Sequence, residues 1–251
     1  MQIESENSWI NNIFAWANYF DLSQTVVPRE ESKLLKLTHL HLYARGITEI
    51  PKELGKLKSL KDLELSSNRL SEIPLELGQL ENLTSLGLSD NQLTNIPSEI
   101  SNLKNLEGLF LARNRLSKLP NSIALLSNLS KLILTDNSLT YLPSEMSRLK
   151  NLKVLSASQN KLKLFPDKLT QCQSLEILSL DVNFITKLPK SFHKLQHLQV
   201  LNLWRNELQS LPENIMELKA LKSINLDKDI VENLSEEQTR WLDCIADVVI
   251  L

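Results

Sequence analysis

Glycine is scarce in this chain of 251 residues, which carries only five. Glycine-rich phosphate loops need several in close order, and nothing here resembles one. Cysteine is scarcer still. Cys172 and Cys244 lie far apart and follow no metal or redox spacing, which predicts two free thiols and a reducing compartment. Aromatic residues make up 5% of the chain, so its 42% apolar share rests mainly on leucine. That skew suggests a small core repeated many times. Charge of one sign is also lacking. A net charge of -2 gives no electrostatic reason to seek nucleic acid or an anionic membrane. No apolar run is long enough to span a bilayer. The first residues, Met1 to Ser8, contain Glu4 and Glu6 and no basic residue, unlike a secretory signal peptide.

What is present is order. With 23% charged residues and the apolar share above, the composition excludes a disordered chain. A period of 23 residues runs through it without slipping, with units opening at Leu37, Leu60, Leu83, Leu106, Leu129, Leu152, Leu175, Leu198 and Leu221. The second unit shows the pattern: Leu60, Leu63, Leu65, Asn68, Leu70, Ile73, Pro74, Leu77 and Leu80. Leu63 and Leu65 alternate with polar residues, as a half-buried strand requires. Leu70, Ile73, Leu77 and Leu80 fill the interior of a turn that one unit cannot bury alone. Asparagine recurs from Asn68 to Asn206, and its amide both donates and accepts, which suits pairing of backbone groups inside the turn. The ladder stops at Arg45 and Asp229, so the last turn is expected to be irregular. Proline recurs from Pro51 to Pro212 and predicts the first position of a short helix, with Glu53, Glu76, Glu99 and Glu145 two residues on.

Over residues 37 to about 234 this pattern resembles the leucine-rich-repeat family, in its shorter form with a proline after the strand. The resemblance implies an α/β fold: a right-handed leucine-rich-repeat solenoid, or horseshoe, with a concave parallel β-sheet and convex short helical turns. Helical caps are expected at both ends. The expected division is an N-terminal helical cap over 1–36, repeats over 37–234 with the last unit incomplete, and a C-terminal helical cap over 235–251. The regular period and the turn composition are similar to bacterial members, including effectors of Legionella and surface or secreted proteins of the Leptospira kind. The same turn occurs in Ras-associated eukaryotic scaffolds.

Solenoids expose a core at each end unless capped. Trp9, Ile10, Ile13, Phe14, Ala17 and Phe20 recur at helical spacing, with Ser8 or Asn7 as candidate cap. At the other end, Ser235 to Gln238 form a capping-box pattern, and Trp241, Leu242, Ile245 and Val248 continue one helical face. The apolar residues Val248 to Leu251, after Glu232, Glu236 and Glu237, have a second reading, since they resemble a type IV translocation signal. Within the repeats, Ala157 replaces a leucine and Phe165 an aliphatic residue, so the ring of Phe165 is expected to fill part of the space beside Ala157.

Catalytic constellations are missing. His39 and His41 would share a strand face with Asp62 and Glu64 one unit on, so a metal site is conceivable, but exposed polar residues are the expectation. His193 and His197 lack the glutamate of a metalloprotease motif. Three N-x-[ST] matches, at Asn82, Asn128 and Asn233, are read as chance. The sequence therefore predicts no enzyme, no cofactor and no metal. It predicts a monomer that binds a protein partner, in the cytoplasm or, if an effector, in a host cytosol.

The partner should meet the outward strand residues. Phe110 and Ile133 share one column, and Val154, Ile177 and Val200 share the next. Together they predict an apolar stripe across five strands, about 20 Å long. Val182, Phe184, Trp204 and Arg205 lie near its end, and Arg113 on its rim. Trp and Arg are frequent interface anchors. A self-associating structural protein and an intracellular scaffold remain as alternatives to an effector, with a metal-dependent enzyme more remote.

Overall fold

A computed structural model describes residues 8–250. Ten strands form one parallel sheet in chain order. They are β1 His39–His41, β2 Asp62–Glu64, β3 Ser85–Gly87, β4 Gly108–Phe110, β5 Lys131–Ile133, β6 Val154–Ser156, β7 Ile177–Ser179, β8 Val200–Asn202, β9 Ser223–Leu226 and β10 Asp247–Ile250. Each of β1 to β8 has one buried leucine between two outward residues, and that leucine pairs with the next, as Leu40 does with Leu63 and Leu63 with Leu86. The constant repeat length fixes this register, because slipping by one residue would turn the leucines to solvent. On the opposite side, a 3-10 turn closes each unit, from Lys52–Lys56 in the first to Ile215–Glu217 in the eighth.

The turns satisfy their own polar groups. Asn91 is buried; its Oδ1 accepts from the Leu70 N–H at 3.0 Å, while Nδ2 donates to the carbonyls of Leu65 and Leu88 at 3.1 and 3.0 Å. Asn68, Asn114, Asn137, Asn160 and Asn183 make the same contacts with their own neighbours. A second, outer ladder escaped the sequence reading. The side-chain amides of Asn82, Asn105, Asn128 and Asn151 donate to the carbonyls of Lys58, Glu81, Lys104 and Ser127, at 2.8–2.9 Å. Two of the three N-x-[ST] matches thus carry asparagines already held by the fold.

Proline sits one residue earlier than expected. Pro51 has ψ 137° and precedes the helical residues, and its carbonyl accepts from the Leu54 N–H at 3.0 Å to close a 3-10 turn. The early turns pack closely: a Cβ on Gly55 or Gly78 would lie 2.1 or 2.3 Å from the carbonyl oxygen of Glu76 or Glu99. Glycine is required at both places by that approach.

Helix α1 (Ser8–Tyr19) closes the first unit, burying Ile10, Ile13, Trp16 and Ala17. Trp16, which the sequence pattern passed over, donates its indole N–H to the Glu49 carbonyl at 2.8 Å. Lys56 lies 5.1 Å from the Trp9 ring centre, a cation–π contact across the same junction. Ser8 is already helical, and Asn7 lies outside the described residues. Helix α2 (Glu31–Leu34) then leads into β1.

The other end differs from the expectation. The turn at Asp229 is a short helix, α3 (Lys228–Glu232), and Asp227 takes over the accepting role, from the Arg205 N–H at 3.0 Å and the Asn206 N–H at 3.3 Å. The capping box forms: Ser235 and Gln238 bond reciprocally at the start of α4 (Glu236–Asp243). The helical face does not continue to Val248. Asp247–Ile250 is strand β10, paired parallel with β9 so that Val248 meets Ile224 and Ile250 meets Leu226. The reason is in the sequence: Ile245, Val248 and Ile250 repeat the spacing of Leu221, Ile224 and Leu226, and β-branched residues favour strands.

Ala157 is fully buried, and the Phe165 ring packs edge-to-face on Phe192 of the following turn, centroids 5.3 Å apart. Space at position 157 is therefore limited by a packed interior. Ala157→Leu is expected to overpack and cost roughly 1–3 kcal/mol. A thermal melt checks this, and an unchanged or raised Tm would count against it.

Candidate binding surface on the sheet

The strand register decides which outward side chains become neighbours. Phe110 pairs with Ile133, and Val154 with Ile177 and then Val200. At the junction Lys131 is opposite Val154 and Ile133 opposite Ser156, so the two columns meet on a diagonal between Ile133 and Val154. All five apolar residues are half-buried. Gly108 widens the stripe at its start, because a Cβ there would lie 2.9 Å from the Phe110 ring. The ring leans over the glycine, into the column that Lys131 and Val154 continue. Sequence reasoning named Phe110 but missed Gly108, although a glycine two residues before an outward aromatic was a usable signal.

The second group stands apart. Ser179 and Asn202 occupy the column between Val200 and Trp204, and Asn202 donates to Asp181 Oδ1 at 2.8 Å. Beyond this polar seam the Arg205 guanidinium lies 4.3 Å from the half-buried Trp204 ring centre. Phe184 is 47% exposed, and Val182 is half-buried. The structure thus forms two apolar patches where the sequence suggested one. Arg113 is exposed on the rim, with Asp90 3.9 Å away.

Val182 has φ 54°, in the left-handed region. The same place in other units holds Ser67, Asp90, Arg113, Asp136, Gln159 and Arg205, all with φ between 51° and 58°. Each precedes an asparagine of the ladder, buried in every case but the half-buried Asn206. A β-branched residue is the least suited to this conformation. The turn fixes the backbone, and the side chain at position 182 is not chosen for backbone ease.

The histidines form no metal centre. His41 Nε2 is 2.9 Å from Asp62 Oδ2, while the Glu64 carboxylate turns away to accept the Ser66 N–H at 2.6 Å. Among the described residues no three or more His, Cys, Asp or Glu side chains are placed to hold a metal ion. His193 and His197 each pair with a backbone carbonyl, of Lys190 and Gln173. No described helix is long and apolar enough to cross a membrane.

Comparison with known proteins agrees with this architecture. A family model described as a leucine-rich repeat region matches residues 21–109 and 76–184, and a second, leucine rich repeat, matches residues 173–229. The chain belongs to the leucine-rich-repeat family. Among solved structures, this leucine-rich-repeat chain is similar to a Leptospira interrogans LRR protein, with 32% identity and TM-score 0.79, covering 95% of this chain and 64% of that one. The chain therefore spans under two thirds of that protein. An internalin C2 from Listeria monocytogenes matches at 26% identity and TM-score 0.72, covering 86% of this chain and 96% of that one. A peptide hormone receptor from plants, RGFR1 in complex with RGF2, matches at 30% identity and TM-score 0.65, covering 78% of this chain and 38% of that one. No curated protein matches.

Two predictions concern single repeat positions. Val182→Asn relieves the left-handed backbone and should raise stability by about 1 kcal/mol. A lowered Tm would show that the side chain is held by its neighbours instead. The thiols should also separate. Desolvation pushes the Cys172 thiol up to about 11, and its S–H donates to the Met146 carbonyl at 3.2 Å, whereas Cys244 is exposed. At pH 8 a thiol reagent should modify Cys244 alone in native protein, and both cysteines after unfolding. Rapid native modification of Cys172 would contradict its burial.

Proposed function

We propose that this chain is a non-catalytic protein-binding module that uses the strand face of its solenoid. The observation that carries the proposal is the half-buried apolar stripe from Phe110 to Val200, which runs over five adjacent strands. Single outward apolar residues are ordinary, but a contiguous row marks an interaction surface. Leucine-rich-repeat proteins serve in general as binding modules, and the plant receptor above is seen with RGF2 bound. The likeness to proteins of Leptospira and Listeria supports a bacterial origin. We take the protein to be a bacterial effector that occupies a host protein in the host cytosol, as a monomer. Two free cysteines, one of them exposed, suit that reducing compartment.

One observation favours self-association as a second reading. Among the described residues strand β10 pairs only with β9, and Val249 and Ile250 are 36% and 44% exposed. Unpaired strand edges recruit other chains. Light scattering separates the two readings, since a monodisperse monomer leaves the strand face as the interface.

The direct test is a pull-down from eukaryotic lysate with wild type and an Ile133→Asp, Val154→Asp, Trp204→Ala variant whose fold has been verified by circular dichroism. A host protein kept by wild type and lost by the variant is the expected result. Equal retention would move the site to the turns or the caps. Retention of no host protein by wild type would sink the effector reading.

A further inference from the structure

We infer that the occupant of the strand face is a polypeptide segment that combines apolar side chains with carboxylates, and that its carboxylates are received by Arg115, Lys131, Lys161 and Arg205. The inference rests on the strand-face binding reading and names the chemistry of the partner.

The basis is which charges the fold has already used. On the outward columns most carboxylates are committed. Asp62 is bonded to His41 at 2.9 Å, and Glu64 accepts the Ser66 N–H at 2.6 Å. Asp90 accepts from the Ser67 hydroxyl at 2.9 Å. Asp181 is held by Asn202 at 2.8 Å and also by Ser158. Asp227 accepts the Arg205 backbone N–H at 3.0 Å. Asp136 and Glu207 are the exceptions. Of the cations in the same columns, Arg113 and Lys228 lie 3.9 and 3.5 Å from Asp90 and Glu232, and the others stand the other way. Arg115, Lys131, Lys161 and Arg205 are exposed, and among the described residues none has a carboxylate within 4.0 Å. A chain with net charge -2 thus presents its uncommitted charge on this face mainly as donors.

Position makes the set selective. Lys131 is opposite Val154 in the register, beside the diagonal where the two apolar columns meet. Arg115 belongs to the unit that contributes Phe110, and Lys161 to the unit that contributes Val154. Arg205, stacked on Trp204, marks the far end. An anion without apolar groups would leave the stripe wet, and an apolar segment without anions would leave the cations unanswered. Carboxylate to guanidinium or ammonium is a charge-assisted hydrogen bond, stronger than a neutral one. A nucleic acid would also meet the cations, but only a single outward aromatic ring, Phe110, lies in the stripe, where base stacking needs several. An acidic–apolar peptide answers both features.

The experiment selects peptides from a random displayed library on three immobilised proteins with circular dichroism like wild type. They are wild type, an Arg115→Glu, Lys131→Glu, Lys161→Glu variant, and an Ile133→Asp, Val154→Asp variant. Wild type should enrich peptides with net negative charge and repeated apolar residues. The charge-reversed protein should enrich net positive peptides instead, and the stripe variant should lose wild-type peptides at least about tenfold. Binding of a selected peptide should weaken at least about tenfold between low salt and about 0.5 M NaCl, where charges are screened beyond ~4 Å. Peptides that need the stripe but show no charge preference, or are basic, overturn this inference and leave the binding-face reading intact. Peptides indifferent to the stripe variant overturn both. Failure to enrich any peptide overturns the inference, as does tight binding of a poly-dT oligonucleotide or of phosphatidylserine vesicles that requires the same three cations.

Discussion

Everything in this solenoid depends on pairing backbone groups inside turns that are too tight to pair them alone. A short repeat leaves little regular structure: strands of three residues and 3-10 turns of five. Unpaired buried amides would cost more than the leucine core returns. The asparagine ladder removes that cost, since each amide serves its own turn and the one before. Asn137, for example, bonds the Leu116 N–H and the carbonyls of Leu111 and Leu134. Because two of these three bonds cross to the preceding unit, no unit is stable by itself, and the repeats hold one register along their whole length.

With the interior and turns assigned to structure, the outward strand positions are left free to vary. They change character from unit to unit while the buried positions do not: Asp62, Ser85, Gly108, Lys131 and Val154 follow one another in a single column. The fold thus works as a ruled surface on which side chains are placed at the strand spacing of about 4.8 Å. Rigidity of that surface lowers the entropy lost on binding.

Most of this was readable from residues. Leucine, asparagine and proline periods fix the strands, the interior and the turns, because each has one structural duty repeated in phase. The apolar columns were readable too, since register follows from the period. What escaped reading lies where the period is broken or a duty is doubled. Asn82 and its equivalents look like ordinary surface residues, as their bonds run to carbonyls that only the stacked fold brings near. The end of the chain looked helical because Trp241, Leu242, Ile245 and Val248 fit helical spacing, yet the same Ile245 and Val248 fit the repeat. Tertiary pairing with β9 decided between the two periods. The seam of Ser179 and Asn202 that divides the apolar surface was present in the sequence, but its weight came from the bond to Asp181.

Among the described residues β10 pairs only with β9, and this has a consequence for how that part of the stack opens. In a one-dimensional stack, melting proceeds from the ends, and the end with less covering frays first. Here the N-terminal unit lies under α1, while the last strand keeps Ile250 44% exposed in a column that is fully buried at Leu226. Within the described residues, unzipping should therefore travel from β10 backwards, reaching Trp204 and Phe184 before Ile133 and Phe110. The two apolar patches then differ in lifetime as well as in composition: one on the stiff middle of the stack, the other on a margin that breathes. A partner that bridges both would clamp that margin, so that binding would also slow the opening of the chain.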